Sequence, residues 1–167
     1  MSTHPPILHL LCGRIASGKS TLAARLAADP ATVLIAEDSW LAALYADRLA
    51  TLDDYLRCAA RLRRAMGPHV AALLNAGVLV VLDFPANTPR QRAWMRGLVE
   101  DSAAAHALHV LDLPEEVCLA RLRARNAAGS HPFAVTEAQF RDVSRHFATP
   151  TREEGFVLVR HDGAAQD

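Results

Sequence analysis

The chain has 167 residues, of which 51% are apolar and 22% are charged, and its 18 basic side chains balance 18 acidic ones. This is the composition of an ordinary globular protein of about one domain's length, and it excludes a disordered chain. The zero formal net charge disfavours proteins that wrap duplex nucleic acid or coat a membrane, although it leaves room for a local basic cleft.

The cysteines and the apolar runs indicate the compartment. Cys12, Cys58 and Cys118 are far apart and form no CxxC pair, so they predict neither a disulfide framework nor a zinc site. Met1–Pro6 lacks the features of a signal peptide, and Val78–Leu82, the purest apolar run, is too short to cross a membrane. We therefore expect a cytoplasmic protein that forms a single domain over residues 1–167, without a membrane segment or an evident obligate protein partner.

The first half of the chain alternates short apolar runs with segments typical of helices. Ile7–Cys12 ends at a glycine and predicts a buried strand, and the alanine- and leucine-rich Ser20–Ala28 predicts the next helix. Val33–Ala36 predicts a second strand, after which Ser39 can cap a helix. Two further helices are predicted, separated by Gly67-Pro68: one from Thr51 to about Arg64, and one that ends at Gly77.

The second half continues the alternation. Val78–Leu82 is the most strand-like segment of the chain, and an acid, Asp83, follows it. The remaining predicted elements are a helix from Pro89 to about Ala104, a strand at Ala107–Leu113, a helix from Pro114 through Arg125, a helix from Thr136 to about Phe147 and a strand at Phe156–Val159. Uninterrupted apolar strands that alternate with helices predict an α/β fold with a mostly parallel sheet.

The most specific motif lies between the first strand and the first helix. Gly13-Arg14-Ile15-Ala16-Ser17-Gly18-Lys19-Ser20 is a complete GxxxxGK[ST] pattern. Glycines let the backbone N–H groups of such a loop surround a phosphate, and the following helix directs its positive end at the same anion. Lys19, the only lysine of the chain, can reach the β- and γ-phosphates, and Ser20 can ligate Mg²⁺. We predict that residues 13–20, together with Thr21, bind ATP.

Acidic residues follow two of the predicted strands, where ligands of open parallel sheets bind. Asp38 can accept the proton of an attacking hydroxyl group, and its neighbour Glu37 competes for this role. Asp83 closes an apolar strand in the Walker B arrangement and is predicted to position Mg²⁺ with Ser20. Asp112 also lies near a strand end, but no accompanying motif supports it, so a structural role is expected.

Arginines supply the remaining cationic candidates. Arg121 and Arg125 are four residues apart on one helix face and can neutralise charge that develops on a triphosphate, whereas Arg123 is expected to face solvent. Two further groups can receive an anionic substrate or simply lie on wet helix faces: Arg90, Arg92 and Arg96, and Arg57, Arg61 and Arg64. His131 can contact the nucleotide, although a histidine in a loop more often has no functional contact.

These motifs, in their order, resemble the small P-loop kinases of the AAA_33, zeta-toxin-like and polynucleotide-kinase-like group. The resemblance covers about Ile7 to Val159 and depends on five features: GRIASGKS at 13–20, Asp38, LDFPANTPRQR at 82–92, CLARLRARN at 118–126 and PTREEGF at 150–156. It implies a three-layer P-loop fold with a five-stranded parallel sheet in the order 2-3-1-4-5 and a helical lid at about residues 118–136. It also implies Mg·ATP as phosphoryl donor, Asp38 as base, Arg121 and Arg125 in the lid, and Pro150–Gly155 near the adenine.

The sequence leaves the acceptor open. Polynucleotide-kinase-like members often carry Asp-x-x-Arg after the second strand, but here Leu41 stands three residues after Asp38. This difference favours a small, weakly charged hydroxyl compound over a nucleic-acid 5′-hydroxyl. The third hypothesis is an ATP-binding regulator or ATPase without an acceptor; a GTPase is disfavoured because no NKxD motif follows the fourth strand.

Overall fold

A computed structural model describes residues 5–129, 131 and 133–162 of the chain. The expected lid region is thus described except for positions 130 and 132. Residues 1–4, which belong to the segment that lacks signal-peptide features, and residues 163–167 of the expected domain also lie outside the described residues.

Five parallel strands form one sheet in the order β2-β3-β1-β4-β5, which confirms the expected topology. The strands are β1 (Ile7–Gly13), β2 (Thr32–Ala36), β3 (Leu79–Pro85), β4 (Ala105–Leu111) and β5 (Leu158–His161). The helices of the described chain are α1 (Lys19–Leu26), α2 (Glu37–Tyr45), α3 (Leu52–Asn75), α4 (Pro89–Ser102), α5 (Glu115–Ala128) and α6 (Glu137–Ser144).

Apolar side chains on both faces of the sheet create three layers. Leu8, Leu10 and other strand residues pack with α3 and α4 in the main core, whereas Leu11 and Val81 face Ala23 of α1 on the opposite side. A separate cluster joins α5 to α6, and we call these two helices and their connection the lid. None of the helices in the described ranges is long and apolar enough to cross a membrane.

Two predicted helix boundaries are wrong. The helix after β2 begins at Glu37 rather than beyond Ser39, because Ala36 is extended and two carboxylates, Glu37 and Asp38, occupy the first turn, where the helix dipole favours negative charge. Gly67-Pro68 does not divide the next helix, since α3 runs without a break from Leu52 to Asn75.

Packing explains why α3 continues through Pro68. A proline inside a helix removes one hydrogen bond and disfavours the preceding turn by about 3 kcal/mol. The Pro68 ring is exposed, while buried residues before and after it, such as Leu62 and Val70, form one continuous apolar face on the core. Tertiary burial of that face therefore outweighs the local preference to stop.

Arg92 was predicted to lie on a solvent-exposed helix face or to bind an anionic substrate, but it is buried inside the fold. It is 1% exposed, and its guanidinium donates to both carboxylate oxygens of Glu154 at 2.6 and 3.0 Å and to the carbonyl oxygens of Ala86 and Ala148 at 3.0 and 2.8 Å. This pairing holds the segment before β5 against α4.

Three histidines on neighbouring strands form a hydrogen-bonded row. His109 of β4 lies between His9 of β1, at 3.0 Å, and His161 of β5, at 2.9 Å. Burial and the two neighbouring rings lower the pKa of His109 to about 4, and burial also lowers the pKa of His9. The folded state therefore binds fewer protons than the unfolded state between the pKa of His109, about 4, and the ordinary histidine pKa near 6.5.

We expect the free energy of unfolding to fall as the pH drops from about 6.5 to 4, by about 3 kcal/mol from His109 alone. The loss has this sign because a depressed folded-state pKa stabilises the protein only while the imidazole stays neutral. Urea titrations at several pH values measure it. The His109→Gln variant should show a flatter dependence, whereas the exposed control His69→Gln on α3 should follow the wild type; parallel curves for wild type and His109→Gln would contradict the assignment.

Candidate active site

The phosphate-loop motif forms a tight turn between β1 and α1. A Cβ atom at Gly13 would lie 2.4 Å from the Ser17 Oγ and 2.9 Å from the Leu111 carbonyl oxygen, so only glycine fits there. Gly18 has a φ of 96°, and Ala16 has the left-handed φ of 63°, which a side chain adopts at some expense of free energy. The backbone of the loop is thus held in the shape that the motif requires.

Asn87 joins this loop to the end of β3. Its side-chain Oδ1 accepts the backbone N–H of Gly13 at 2.8 Å, and its own backbone N–H donates to Gln91 Oε1 at 2.9 Å. Asn87 is buried, and the sequence did not single it out because a loop asparagine has no distinctive spacing. It acts as a positioning residue for the phosphate loop.

Lys19 lies at the base of the loop, as the motif predicts. Its Nζ donates to the carbonyl oxygens of Gly13 and Arg14 at 2.5 and 2.9 Å. Burial lowers the pKa of Lys19, and the carboxylate of Asp83 acts in the opposite direction. A half-buried ammonium group is therefore held where the phosphates of a nucleotide would bind.

Ser20 and Asp83, the two predicted Mg²⁺ ligands, are in contact. The Ser20 side chain hydrogen bonds the carboxylate of Asp83. Burial raises the pKa of Asp83, whereas this hydrogen bond and the charge of Lys19 lower it. A hydroxyl and a carboxylate side by side form the oxygen donor set that Mg²⁺ prefers. Ser20 and Asp83 are 63 positions apart in the sequence, and the pairing of β1 with β3 brings them together.

Asp38 and Glu37 have different surroundings. Glu37 is 2% exposed, accepts from Arg63 at 3.0 Å, and has its pKa raised by burial and lowered by Arg63. The Asp38 side chain is 38% exposed and lies 3.3 Å from His131 Nε2. The Tyr55 hydroxyl lies 3.1 Å from Asp38 Oδ1 and 3.2 Å from Glu37 Oε2. Asp38 is therefore the accessible carboxylate, whereas Glu37 is buried in an ion pair with Arg63.

The arginines of α5 separate as their spacing predicts. Arg121 and Arg125 line the same cavity as the phosphate loop, and burial lowers the pKa of Arg125 while nearby Asp38 raises it. Arg123 is exposed and pairs with Glu137 at 2.5 Å. Arg14 does not reach the cavity: it pairs with Asp112 at 3.3 Å and lies 4.2 Å above the Phe147 ring, which is consistent with a structural Asp112.

One cavity of about 1100 Å³ brings these groups together. Its wall includes residues 15–21 of the phosphate loop, Asp38, Asp83 and the lid, and also Arg90. The arginines at 57, 61 and 64 are not part of its lining; Arg57 pairs with Asp54 instead. Pro150–Gly155 does not line it either, so the structure does not place that segment at the cavity.

The loop fits a phosphate-bearing ligand. Ser17 is 3% exposed, yet its Oγ has no hydrogen-bond partner within the described chain. The buried Nε of Arg125 on the lid also lacks one. Unpaired buried polar atoms are unfavourable, and phosphate oxygens would satisfy those that face the cavity.

Sequence reasoning missed Tyr55 and Arg63 on α3 as well as Asn87. Tyr55 and Arg63 are eight residues apart, close to two helical turns, so they share a face with the cavity. This spacing could be read from the sequence. Nothing in the sequence showed, however, that Glu37 would pair with Arg63 and not with Arg57, Arg61 or Arg64.

Comparison with known proteins agrees with this geometry. The AAA domain family model (AAA_33) matches residues 8–150. The fold is similar to the crystal structure of a candidate kinase from Chloroflexus aurantiacus, with a TM-score of 0.74 at 21% identity over 96% of this chain and 87% of that one. It is also similar to a sugar kinase from Janibacter, with a TM-score of 0.64 at 17% identity over 93% and 86%.

A third similar structure is the APS kinase of Mycobacterium tuberculosis in complex with AMPPNP and APS, with a TM-score of 0.61 at 20% identity over 95% of this chain and 90% of that one. Among curated proteins, none matches the sequence significantly. Likeness at these identities establishes the fold, whereas the family model spans most of the chain. The phosphate loop, the strand order and this match together show that the protein belongs to the AAA_33 family and has the fold of the small P-loop kinases.

Proposed function

We propose that this protein is a kinase that transfers the γ-phosphoryl group of Mg·ATP to a hydroxyl group of a small-molecule acceptor. The observation that carries the proposal is that the phosphate loop and the accessible carboxylate of Asp38 line the same cavity. A protein that only binds nucleotide needs no accessible carboxylate at that place. The structures of similar fold include a sugar kinase and a gluconokinase, which is compatible with this reaction.

Each part of the cavity has a separate task. Backbone N–H groups of the loop between Ile15 and Ser20, which lines the cavity, and the Lys19 ammonium group would hold the phosphates, and Ser20 with Asp83 would hold Mg²⁺. When bound, Mg²⁺ would neutralise charge on the phosphate oxygens. The acceptor oxygen forms the new bond to the γ-phosphorus, the bond to the β-phosphate oxygen breaks, and ADP leaves.

Asp38 rather than Glu37 receives the proton of the acceptor hydroxyl group. The Glu37 carboxylate is buried and paired with Arg63 at 3.0 Å, so it is poorly placed to receive a proton from the hydroxyl group of the phosphoryl acceptor. Asp38 is accessible, and Tyr55 together with His131 fixes its orientation. Glu37 therefore helps to shape the cavity around Asp38 and does not take part in proton transfer.

We expect Arg121→Ala and Arg125→Ala each to lower kcat by about 10- to 1,000-fold while they change the Kd for ADP much less. Arginines that meet the transferred phosphoryl group elsewhere contribute about 10³–10⁵ in rate, and here two would share the task. Steady-state kinetics and calorimetry with ADP measure the two quantities. The matched control is Arg123→Ala on the same helix, which should behave as the wild type because Arg123 pairs with Glu137 outside the cavity.

Equal losses of ADP and ATP affinity at an unchanged kcat would contradict this assignment. They would show that Arg121 and Arg125 bind the nucleotide in its ground state rather than the group in transit.

A nucleic-acid 5′-hydroxyl acceptor receives less support. One similar structure belongs to an RNA repair complex, but this chain covers 45% of that chain. Arg57, Arg61 and Arg64 of α3, which could follow a phosphate backbone, do not line the cavity. Leu41, which stands where polynucleotide-kinase-like members often carry arginine, is a buried core residue. Mass spectrometry of ATP incubated with the protein and pooled metabolites or RNA oligonucleotides tests the proposal. A phosphorylated small molecule supports it, a phosphorylated oligonucleotide favours the alternative, and no acceptor at all favours a regulator.

A further inference from the structure

The acceptor side of the cavity is distinguished from the phosphate side by its side chains. Next to Asp38, which lies 3.1 Å from the Tyr55 hydroxyl, the wall includes Leu52, Tyr55 and Leu56 at the start of α3, Leu49 just before α3, and Phe133 of the lid. The Tyr55 and Phe133 rings meet edge to face with centroids 5.8 Å apart. This part of the wall is therefore apolar and aromatic.

The cations next to the two carboxylates of this region are already engaged by them. Arg63 faces the cavity, but its guanidinium is paired with the buried carboxylate of Glu37 at 3.0 Å. Asp38 lies 3.3 Å from His131 and interacts with Arg125 of the lid. An anionic body next to Asp38 would therefore compete with these carboxylates, whereas Arg90, an exposed cation at the start of α4, also lines the cavity.

Leu56 is the most exposed residue of this apolar wall. It is 52% exposed although it lines the cavity, so folding alone does not bury it. A large apolar group left exposed inside a cavity that also holds convergent polar groups is typical of a ligand site.

We infer that the acceptor is an uncharged alcohol whose hydroxyl group is carried on an apolar, ring-bearing body. The inference rests on the proposed function, because it identifies the acceptor side by the position of the base Asp38. The hydroxyl group would meet Asp38, and the body would lie on Leu52 and Leu56, beside the contacting rings of Tyr55 and Phe133.

An isosteric pair of probes tests the charge of the acceptor. para-Methylbenzyl alcohol and para-(hydroxymethyl)benzoate differ in one methyl or carboxylate group. We expect the wild-type protein with Mg·ADP to bind the neutral alcohol at least about tenfold more tightly, measured as Kd by ligand-observed NMR. Equal binding of both, preferential binding of the carboxylate, or binding of neither would overturn the inference.

Two leucines provide a matched pair of variants. Leu56→Asn should weaken binding of the neutral alcohol about tenfold, because it removes the apolar contact that the ligand covers. Leu44→Asn on α2 is the control: Leu44 is equally exposed, at 53%, but is not part of the cavity lining, so binding should stay as in the wild type. An effect of Arg90→Gln on the carboxylate that exceeds the effect of Leu56→Asn on the alcohol would show that the site selects anions.

Phosphoryl transfer is measured separately in the same samples, with ATP in place of ADP. Binding of the neutral alcohol that depends on Leu56, without transfer from ATP, supports the ligand class and contradicts the kinase. Transfer to the carboxylate in preference to the alcohol supports the kinase and contradicts the ligand class. The two failures are therefore distinguishable.

Discussion

Replacing Asp38 by asparagine is expected to lower the rate of phosphoryl transfer by about 10²–10⁴ while it leaves the fold and the binding of ATP intact. Asparagine keeps the shape of aspartate and one carbonyl oxygen, but it cannot accept the proton of the acceptor hydroxyl group, and a positioned acid–base group contributes a factor in this range. The Tyr55 hydroxyl can still donate to the asparagine oxygen, so the local structure should persist.

Three measurements on one set of samples separate the roles that Asp38 can have: the melting temperature, the Kd for ATP with and without Mg²⁺, and turnover with an acceptor. A Kd that rises only in the presence of Mg²⁺ would assign Asp38 to the metal. A loss of stability alone would reduce it to a residue of the first turn of α2, where the charge of aspartate interacts favourably with the helix dipole by about 0.3–1 kcal/mol. Full turnover in the variant would remove Asp38 as the base.

Glu37→Gln is the informative comparison. The change removes the charge that pairs with Arg63 inside the protein, so we expect its main effect on stability, because an unpaired buried charge is unfavourable. If Glu37→Gln abolished turnover in a fully folded protein while Asp38→Asn did not, Glu37 and not Asp38 would be the base.

Replacing Lys19 by alanine is expected to abolish turnover and to weaken the binding of Mg·ATP by about 10- to 100-fold. Hydrogen bonds to charged groups contribute about 1.5–3 kcal/mol, and Lys19 is the only lysine that the phosphate loop can offer. Isothermal titration calorimetry and an ATP turnover assay measure the two effects.

Lys19→Arg is the matched control for charge. It keeps a cation, but a planar guanidinium differs in shape from a compact ammonium group, and the space at Lys19 is buried between two backbone carbonyl groups. We therefore expect this variant to fail in turnover as well. Unchanged affinity together with unchanged turnover in Lys19→Ala would refute the assignment of residues 13–20 as a nucleotide-binding loop.

Local patterns in the sequence predicted the parts of the fold whose physics is local. Largely apolar runs of four to seven residues between turn signals marked all five strands, since strands between two layers of helices carry mostly apolar side chains; His9 and His109 are exceptions that hydrogen bond to each other. The GxxxxGK[ST] motif marked the loop, because the tight turn demands glycine at particular positions, and the contact at Gly13 agrees with that demand. The strand order itself came from the family resemblance rather than from the residues.

The same reasoning did not predict features that depend on distant partners. Pro68 is unfavourable locally, and only the packing of a long apolar face on the sheet keeps α3 continuous. Arg92 belongs by its spacing to an ordinary arginine-rich helix, but Glu154, 62 positions away, makes it a buried structural residue.

What the sequence by itself determined is therefore the chemistry at the phosphate end: the loop, Lys19, Ser20 and the acids that follow the strands, because each is defined by neighbours in the chain. Only the tertiary structure decided that Asp38 is accessible while Glu37 is paired. It also decided that Tyr55 and Arg63 of α3 lie against these two carboxylates. Burial and ion pairing depend on which elements meet in space, and the sheet brings together residues that no local pattern connects.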